Sequence, residues 1–259
     1  MCELLALTAN TPTDICFSFA GLIERGGNTG PHQDGWGITF YEGIGCRSFK
    51  DCLPSCDCKI ARFVADFPIK SNSVISHIRQ GNRGKICLEN THPFTRELWG
   101  RNITFAHNGQ LSKYYELKND NYVAVGSTDS ELAFCWILNE LKKKYPKRPH
   151  NMATAWRYVV KLCNHLKTFG VFNMLMTDGA YMLAYCTNNL HYITRKAPFG
   201  KAELIDQDMT VNFKDVTTEN DIVTIVATKP LTDNESWTQI MPGTHRLFKY
   251  GVCVTPDQR

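Results

Sequence analysis

No stretch of this chain approaches the 18 consecutive apolar residues that a membrane-spanning helix requires, so no membrane partner is expected. The opening Met1-Cys2-Glu3-Leu4-Leu5-Ala6 has no basic segment and reaches a glutamate at once. It does not read as a secretory or lipoprotein leader, and a cytoplasmic protein is expected. Charge of one sign is also scarce: 29 Lys and Arg against 25 Asp and Glu leave a formal net charge of +4, too slight to imply a polyanionic partner. The one basic run, Lys142 to Arg148, follows an apolar-periodic segment, where cations complement the negative end of a helix dipole. Nucleic acid is therefore not expected as a partner. Nor does any linker rich in proline or glycine divide the 259 residues, and one domain over 1–259 is expected.

The 11 cysteines are an odd number without framework spacing, which fits a reducing compartment and argues against a disulfide scaffold. Cys52, Cys56 and Cys58 put three thiols in seven residues, with Cys46 upstream as a possible fourth zinc ligand. Their spacing is not the paired C-x-x-C of structural zinc sites, so no metal is expected there.

What the chain does have is a set of short apolar runs alternating with turn signals, at 4–8, 36–41, 73–78, 103–106, 171–177, 181–186, 190–194, 222–227 and 246–252. These read as strands. Asp178-Gly179 and Asn188-Asn189, each between two such runs, read as hairpin turns because Gly and Asn accept positive φ cheaply. Thr128-Asp129-Ser130-Glu131 has the form of a capping box ahead of the helical stripe Leu132, Phe134, Ile137, Leu138 and Leu141. A second helix is predicted over 151–166, and weaker ones over 14–24 and 59–67. Helices fall between groups of strands instead of after every strand, which predicts an α+β layered sandwich over a parallel Rossmann-type sheet.

Cys2 is the residue with the most chemistry in it. A side chain this small lets methionine aminopeptidase remove Met1, which would place a thiol and a free α-amine on one residue. The amine's ordinary pKa of about 7.7–8.0 suits a general base near neutral pH. Many proteins simply carry a small second residue, so the rest of the chain must support that reading.

Four polar segments do so: Arg25-Gly26-Gly27 with Asp34-Gly35-Trp36-Gly37; Ser76 to Gln80 with Asn90 to Phe94; Ala106-His107-Asn108-Gly109; and Gly126 to Asp129. Arg79 at a strand end can grip a carboxylate bidentately. Asn108 offers a side-chain N–H and Gly109 an unobstructed backbone N–H, the donor pair a tetrahedral oxyanion needs. Asp129 can receive an ammonium. Each also has a structural reading. Asn-Gly is a common hairpin dipeptide, an arginine can serve a structural ion pair, and an aspartate in a first helical turn stabilises the dipole. His77, His92 and His107 at strand ends read as core histidines that hold hydrogen bonds.

In this order, an N-terminal cysteine, R-G with a downstream D-G-W-G, an arginine, T-H-P, H-N-G and G-x-T-D, the chain resembles class II glutamine amidotransferases, and among them the stand-alone YafJ type. The resemblance continues through Val171-Phe172-Asn173, Arg195 to Gly200 and Ala227 to Thr232, with no catalytic role recognised in those later segments. It implies the N-terminal nucleophile hydrolase fold, an αββα four-layer sandwich of two antiparallel sheets. It further implies Cys2 as nucleophile and its own amine as base, Asn108 and Gly109 as oxyanion hole, and Arg79 and Asp129 as ligands of the glutamine α-carboxylate and α-ammonium. Thr91 and His92 match a segment lining the glutamine pocket, and Arg25 resembles an arginine packed near the nucleophile. Residues 80–90 form an insertion relative to sugar-phosphate amidotransferases; with 26–33 they are candidate lids.

The implied reaction uses no metal or organic cofactor and takes glutamine as its small-molecule substrate. A γ-glutamyl peptide or thiol is the alternative substrate, and an unidentified synthase subunit is a candidate partner for the ammonia. A third possibility is a non-catalytic interaction or metal-binding protein on the same scaffold.

Overall fold

The computed structural model describes residues 2–81 and 84–255. Its strands in chain order are β1 (Glu3–Thr13), β2 (Trp36–Glu42), β3 (Gly45–Asp51), β4 (Ser71–Ile78) and β5 (Phe94–Leu98). Then follow β6 (Arg101–Leu111), β7 (Gly170–Thr177), β8 (Tyr181–Tyr185), β9 (His191–Arg195) and β10 (Lys201–Glu203). The last are β11 (Thr210–Asn212), β12 (Val223–Ala227), β13 (Thr238–Gln239), β14 (His245–Lys249) and β15 (Val252–Cys253). The helices are α1 (Cys16–Glu24), α2 (Lys59–Asp66), α3 (Asp129–Lys144) and α4 (Met152–Leu166).

Two large sheets result, in the orders β13-β9-β12-β1-β4-β2-β3 and β15-β14-β8-β7-β6-β5, with β10 and β11 as a small separate ribbon. Every strand pairing among the described residues is antiparallel. β1 lies in the middle of the seven-stranded sheet, between β12 and β4, and the side chains of its first seven residues are buried on both faces. Leu5, Leu7 and Ala9 pack against α1 and α2, while Leu4 and Ala6 meet Ala106, Leu175 and Phe248 of the other sheet. A strand covered on both sides reads as a continuous apolar run, which is why Leu4-Leu5-Ala6-Leu7 does not alternate. On the far side, Phe134, Ile137, Leu138 and Leu141 of α3 and Trp156, Val159 and Leu162 of α4 cover Phe105, Phe172 and Tyr185. Three apolar layers thus separate four layers of structure, the αββα sandwich expected.

Several local expectations need correction. Asp178-Gly179 does turn β7 into β8, with Gly179 at φ +89° and Asp178 Oδ1 accepting from Ala180 and Tyr181. Asn188-Asn189 is not a hairpin, because β8 and β9 belong to different sheets and the chain crosses between them here. Nor is Asn108-Gly109 a turn: both residues sit inside β6, in register with Asn173 and Phe172 of β7. The run 246–252 is broken at Tyr250 and Gly251, whose φ values of +47° and +79° reverse the chain. The capping box is half formed. Thr128 Oγ1 accepts from Glu131 N, but the Glu131 carboxylate turns to Val125 N, Gly126 N and Arg96. β3, β5, β10, β11 and β13 are polar or very short and carry little apolar signal.

The inter-sheet layer is polar at one end. The buried Tyr41 hydroxyl of β2 meets Thr104 Oγ1 (2.8 Å), Asn102 O (2.9 Å) and Thr177 O (3.3 Å) on β6 and β7. Burial pushes the phenol's pKa far up, so it stays a donor. Removing this hydroxyl as Tyr41→Phe strands buried acceptors and should cost about 1–3 kcal/mol, read as a lower urea midpoint with unchanged far-UV circular dichroism.

Candidate active site

Cys2 immediately precedes β1, whose Glu3 and Leu4 lie opposite Ile78 and His77 of β4. That register brings the thiol to the end of β4. Gln80 N donates to Cys2 Sγ at 3.3 Å, and Sγ lies 3.5 Å from Gln80 O. Burial pushes the thiol's pKa above its ordinary value; the Gln80 amide and the Arg79 guanidinium offset only part of that. The resting sulfur is therefore a protonated thiol that needs a base before it can attack. Met1, whose removal would free that base, lies outside the described residues.

Around the thiol is a cavity of about 200 Å³ lined by Cys2, Arg79, His92, Asn108, Gly109 and Asp129, with Gln80, Gly81, His107, Gln110, Thr128, Ser130 and Val171 completing its wall. Six of the eight residues singled out by sequence thus meet on one concavity. Arg79 follows the end of β4 and is 3% exposed; its guanidinium reaches Asp34 O at 3.4 Å and Gly84 O at 3.5 Å. Asp34, from the D-G-W-G segment, holds this corner. Its carboxylate accepts from Gly81 N (2.6 Å) and its amide donates to Arg79 O (3.1 Å). The insertion expected as a lid includes Asn82 and Arg83, which lie outside the described residues. In the other candidate lid, Gly26 pairs with Pro31 in an isolated bridge.

Asn108 comes from the six-stranded sheet. Its Nδ2 donates to Cys2 O at 2.6 Å and makes a longer contact of 3.4 Å to Thr228 Oγ1, while its Oδ1 is buried with no partner among the described residues. Gly109 is one residue further, past the end of β5's pairing with β6, which spans Arg101 to Phe105. Backbone N–H groups two residues apart point to the same strand edge. Leu111 N donates to Asp129 Oδ2 (2.7 Å) on the edge β5 has vacated, so the Gly109 N–H points there too, into the cavity. Consistent with this, Phe172 N, opposite Gly109, bonds to Thr187 Oγ1 and not to β6. A Cβ at Gly109 would lie 1.9 Å from Val171 O and 2.7 Å from His107 Nε2, so only glycine fits.

Asp129 opens α3. One carboxylate oxygen takes Leu111 N and the other Ser130 N, which orients the group at the cavity wall. His107 is anchored behind it: Nε2 donates to Val171 O (3.1 Å), which leaves Nδ1 to accept from Ser130 Oγ (2.8 Å). His92 lines the cavity and packs, tilted, against His77 (ring centroids 4.2 Å apart) and Phe94 (4.4 Å). The expectation of hydrogen-bonded core histidines is met plainly by His107; the ring nitrogens of His77 and His92 are buried with no hydrogen-bond partner in good geometry among the described residues.

Two residues fall elsewhere. Thr91 is buried beside the cavity but not on its wall; its hydroxyl donates to Cys87 O (2.9 Å) and its carbonyl takes Lys50 Nζ. Arg25 is fully engaged, with Asp206 (2.6 Å), Glu3 (3.4 Å), Lys229 O (3.2 Å) and Pro230 O (2.5 Å). It stands next to the nucleophile's neighbour and does not face the cavity. Of the cysteines singled out, Cys58 is buried near Asp51, Cys56 packs at Gly27 and Cys46 sits in β3 opposite Tyr41, and among the described residues no three His, Cys, Asp or Glu side chains are grouped to hold a metal ion. Asp34, Gln80, Ser130 and Thr228 were not assigned roles from sequence, because their contributions are backbone contacts and hydrogen bonds that single-residue chemistry does not announce.

Burial, reinforced by His107 and Arg79, holds His77 at about 3, and burial likewise holds His92 well below 6.5 and His107 below it. The unfolded chain protonates these rings near pH 6.5 and the folded one does not, so stability is complete above that pH and lost below it. The expected slope is about 1.4 kcal/mol per pH unit for each histidine. Urea unfolding of His77→Phe should show a shallower fall in stability between about pH 6 and pH 4 than the parent does.

The family described as glutamine amidotransferases class II matches residues 1–258. YafJ of Escherichia coli K12, assigned to the glutamine amidotransferases, is 62% identical over 254 residues, 98% of this chain and 100% of its own length. A Haemophilus influenzae protein with the same assignment is 45% identical over 98% of this chain and 86% of its own. A crystal structure of a Pseudomonas aeruginosa protein assigned as a glutamine amidotransferase superposes with a TM-score of 0.79 at 44% identity, covering 98% of this chain and 100% of that one. The phosphoribosylpyrophosphate amidotransferase of Bacillus subtilis shares the fold alone, with a TM-score of 0.63 at 15% identity over 96% of this chain and 47% of its own. With its sheets, cavity and cysteine arranged as described, the chain belongs to the class II glutamine amidotransferases and has their N-terminal nucleophile hydrolase fold.

Proposed function

We propose that the protein, acting as one unit over 1–259, cleaves the γ-amide of glutamine through a γ-glutamyl thioester on Cys2. The observation that carries this reading is the meeting of Cys2, Arg79, Asn108, Gly109 and Asp129 on one cavity of about 200 Å³. Arg79 and Asp129 supply opposite charges on its wall, which suits the α-carboxylate and α-ammonium of an amino acid. With Met1 removed, the Cys2 amine takes the thiol proton and the sulfur attacks the amide carbon. The tetrahedral oxyanion draws on Gly109 N–H and Asn108 Nδ2. The weak 3.4 Å contact of Nδ2 to Thr228 is the one it gives up to do so.

Collapse breaks the C–N bond, and the ammonium on Cys2 returns its proton to the departing ammonia. Water then opens the thioester to glutamate with the same amine as base. A synthase subunit receiving the ammonia is part of the proposal only as a partner for this site.

A glutamine-like diazoketone should label Cys2 covalently in the processed protein, and Cys2→Ala should release no ammonia from glutamine. Asn108→Ala should slow turnover by about 10²–10³-fold, equivalent to about 2.7–4 kcal/mol of barrier. Labelling elsewhere, or full turnover by Cys2→Ala, refutes the reading. Hydrolysis of a γ-glutamyl peptide with none of glutamine would move the scissile bond to another γ-glutamyl linkage.

A further inference from the structure

Nucleophile and oxyanion donor come from different sheets, and one hydroxyl touches both of their supports. Thr228 follows β12 directly and continues its register, in which Leu5 faces Ala227. Its Oγ1 accepts from Leu4 N at 2.9 Å and lies 3.4 Å from Asn108 Nδ2, while its own N donates to Leu4 O at 3.1 Å. A threonine hydroxyl has two acceptor lone pairs, and here they meet one donor from β1, two residues from Cys2, and one from β6. Thr228 is 4% exposed.

The segment carrying this hydroxyl is gripped at three successive carbonyls. His191 Nδ1 meets Thr228 O (3.1 Å), and Arg25 takes Lys229 O (3.2 Å) and Pro230 O (2.5 Å). Arg25 also reaches Glu3, the residue after the nucleophile. Such a frame is more than a strand end needs for its own pairing.

From this we infer that Thr228 is a positioning residue, which sets the plane of the Asn108 amide relative to Cys2. The inference rests on the proposed role of Asn108. Torsion about the bond to a side-chain amide is broad, and a single hydrogen bond to Cys2 O leaves the amide free to rock about it. The second acceptor aims the other Nδ2 hydrogen, and because that contact is long and neutral, a developing oxyanion can displace it.

Thr228→Val keeps the shape and removes the acceptor, so the amide is no longer held in the plane the oxyanion needs; glutamine kcat should fall about tenfold through lost orientation, while KM stays within about twofold. Thr228→Ser should restore kcat. In an Asn108→Ala background, Thr228→Val should change kcat by less than about twofold, since the amide it aims is gone. All assays are made well below each variant's melting temperature. A wild-type kcat for Thr228→Val, or the same tenfold loss in the Asn108→Ala background, overturns the inference. Full turnover by Asn108→Ala instead overturns the oxyanion reading on which it rests.

Discussion

A single side-chain amide joins the two sheets where it matters: Asn108 of β6 donates to the carbonyl of Cys2 at the entry to β1. Everything else about the site follows from holding those two residues together across the layer between the sheets. β1 is placed in the centre of its sheet, paired on both sides, so that the residue just before it cannot drift. β5 stops pairing early, so that the second half of β6 keeps a free edge for Gly109 and Asp129. A chain terminus is ordinarily a frayed place. Here Cys2, near that end, is tied to a middle strand, and that is what holds a candidate nucleophile in a fixed place.

The surroundings are arranged to keep charge scarce. His77, His92 and His107 are neutral rings, the Cys2 thiol is held protonated, and among the described residues the charged side chains on the cavity wall are Arg79 and Asp129. In a site shielded from water, a few oriented dipoles act strongly on any charge that forms. Among the described residues the same burial leaves Asn108 Oδ1 and the ring nitrogens of His77 and His92 without a well-placed partner, a cost in folding free energy at and beside the place where chemistry is proposed.

Much of this was legible residue by residue. The strands buried on both faces, the helical stripes of α3 and α4 and the Asp178-Gly179 turn all carry local patterns that physics reads directly. Cys2, Arg79, Asn108, Gly109 and Asp129 could be named because each brings a functional group of a definite kind, and their order resembles a known family. The failures have a common cause. Asn108-Gly109 and Asn188-Asn189 carry turn chemistry, yet one lies inside a strand and the other in a crossover, because tertiary pairing overrides dipeptide preference. Thr91 and Arg25 sit near the site in sequence pattern but spend their polar atoms on loops and carbonyls beside it.

By itself the sequence determined the materials: periodicities that demand layered strands and helices, glycine at the one β6 position with no room for a side chain, and a small second residue carrying a thiol. Only the tertiary structure decided which of those materials meet. Contacts such as Thr228 to Leu4, 224 residues apart, or Asn108 to Cys2, 106 apart, have no local signature. They exist because two sheets bury their shared faces against each other, and hydrophobic packing, which carries no direction of its own, sets the distance over which the directional bonds then act.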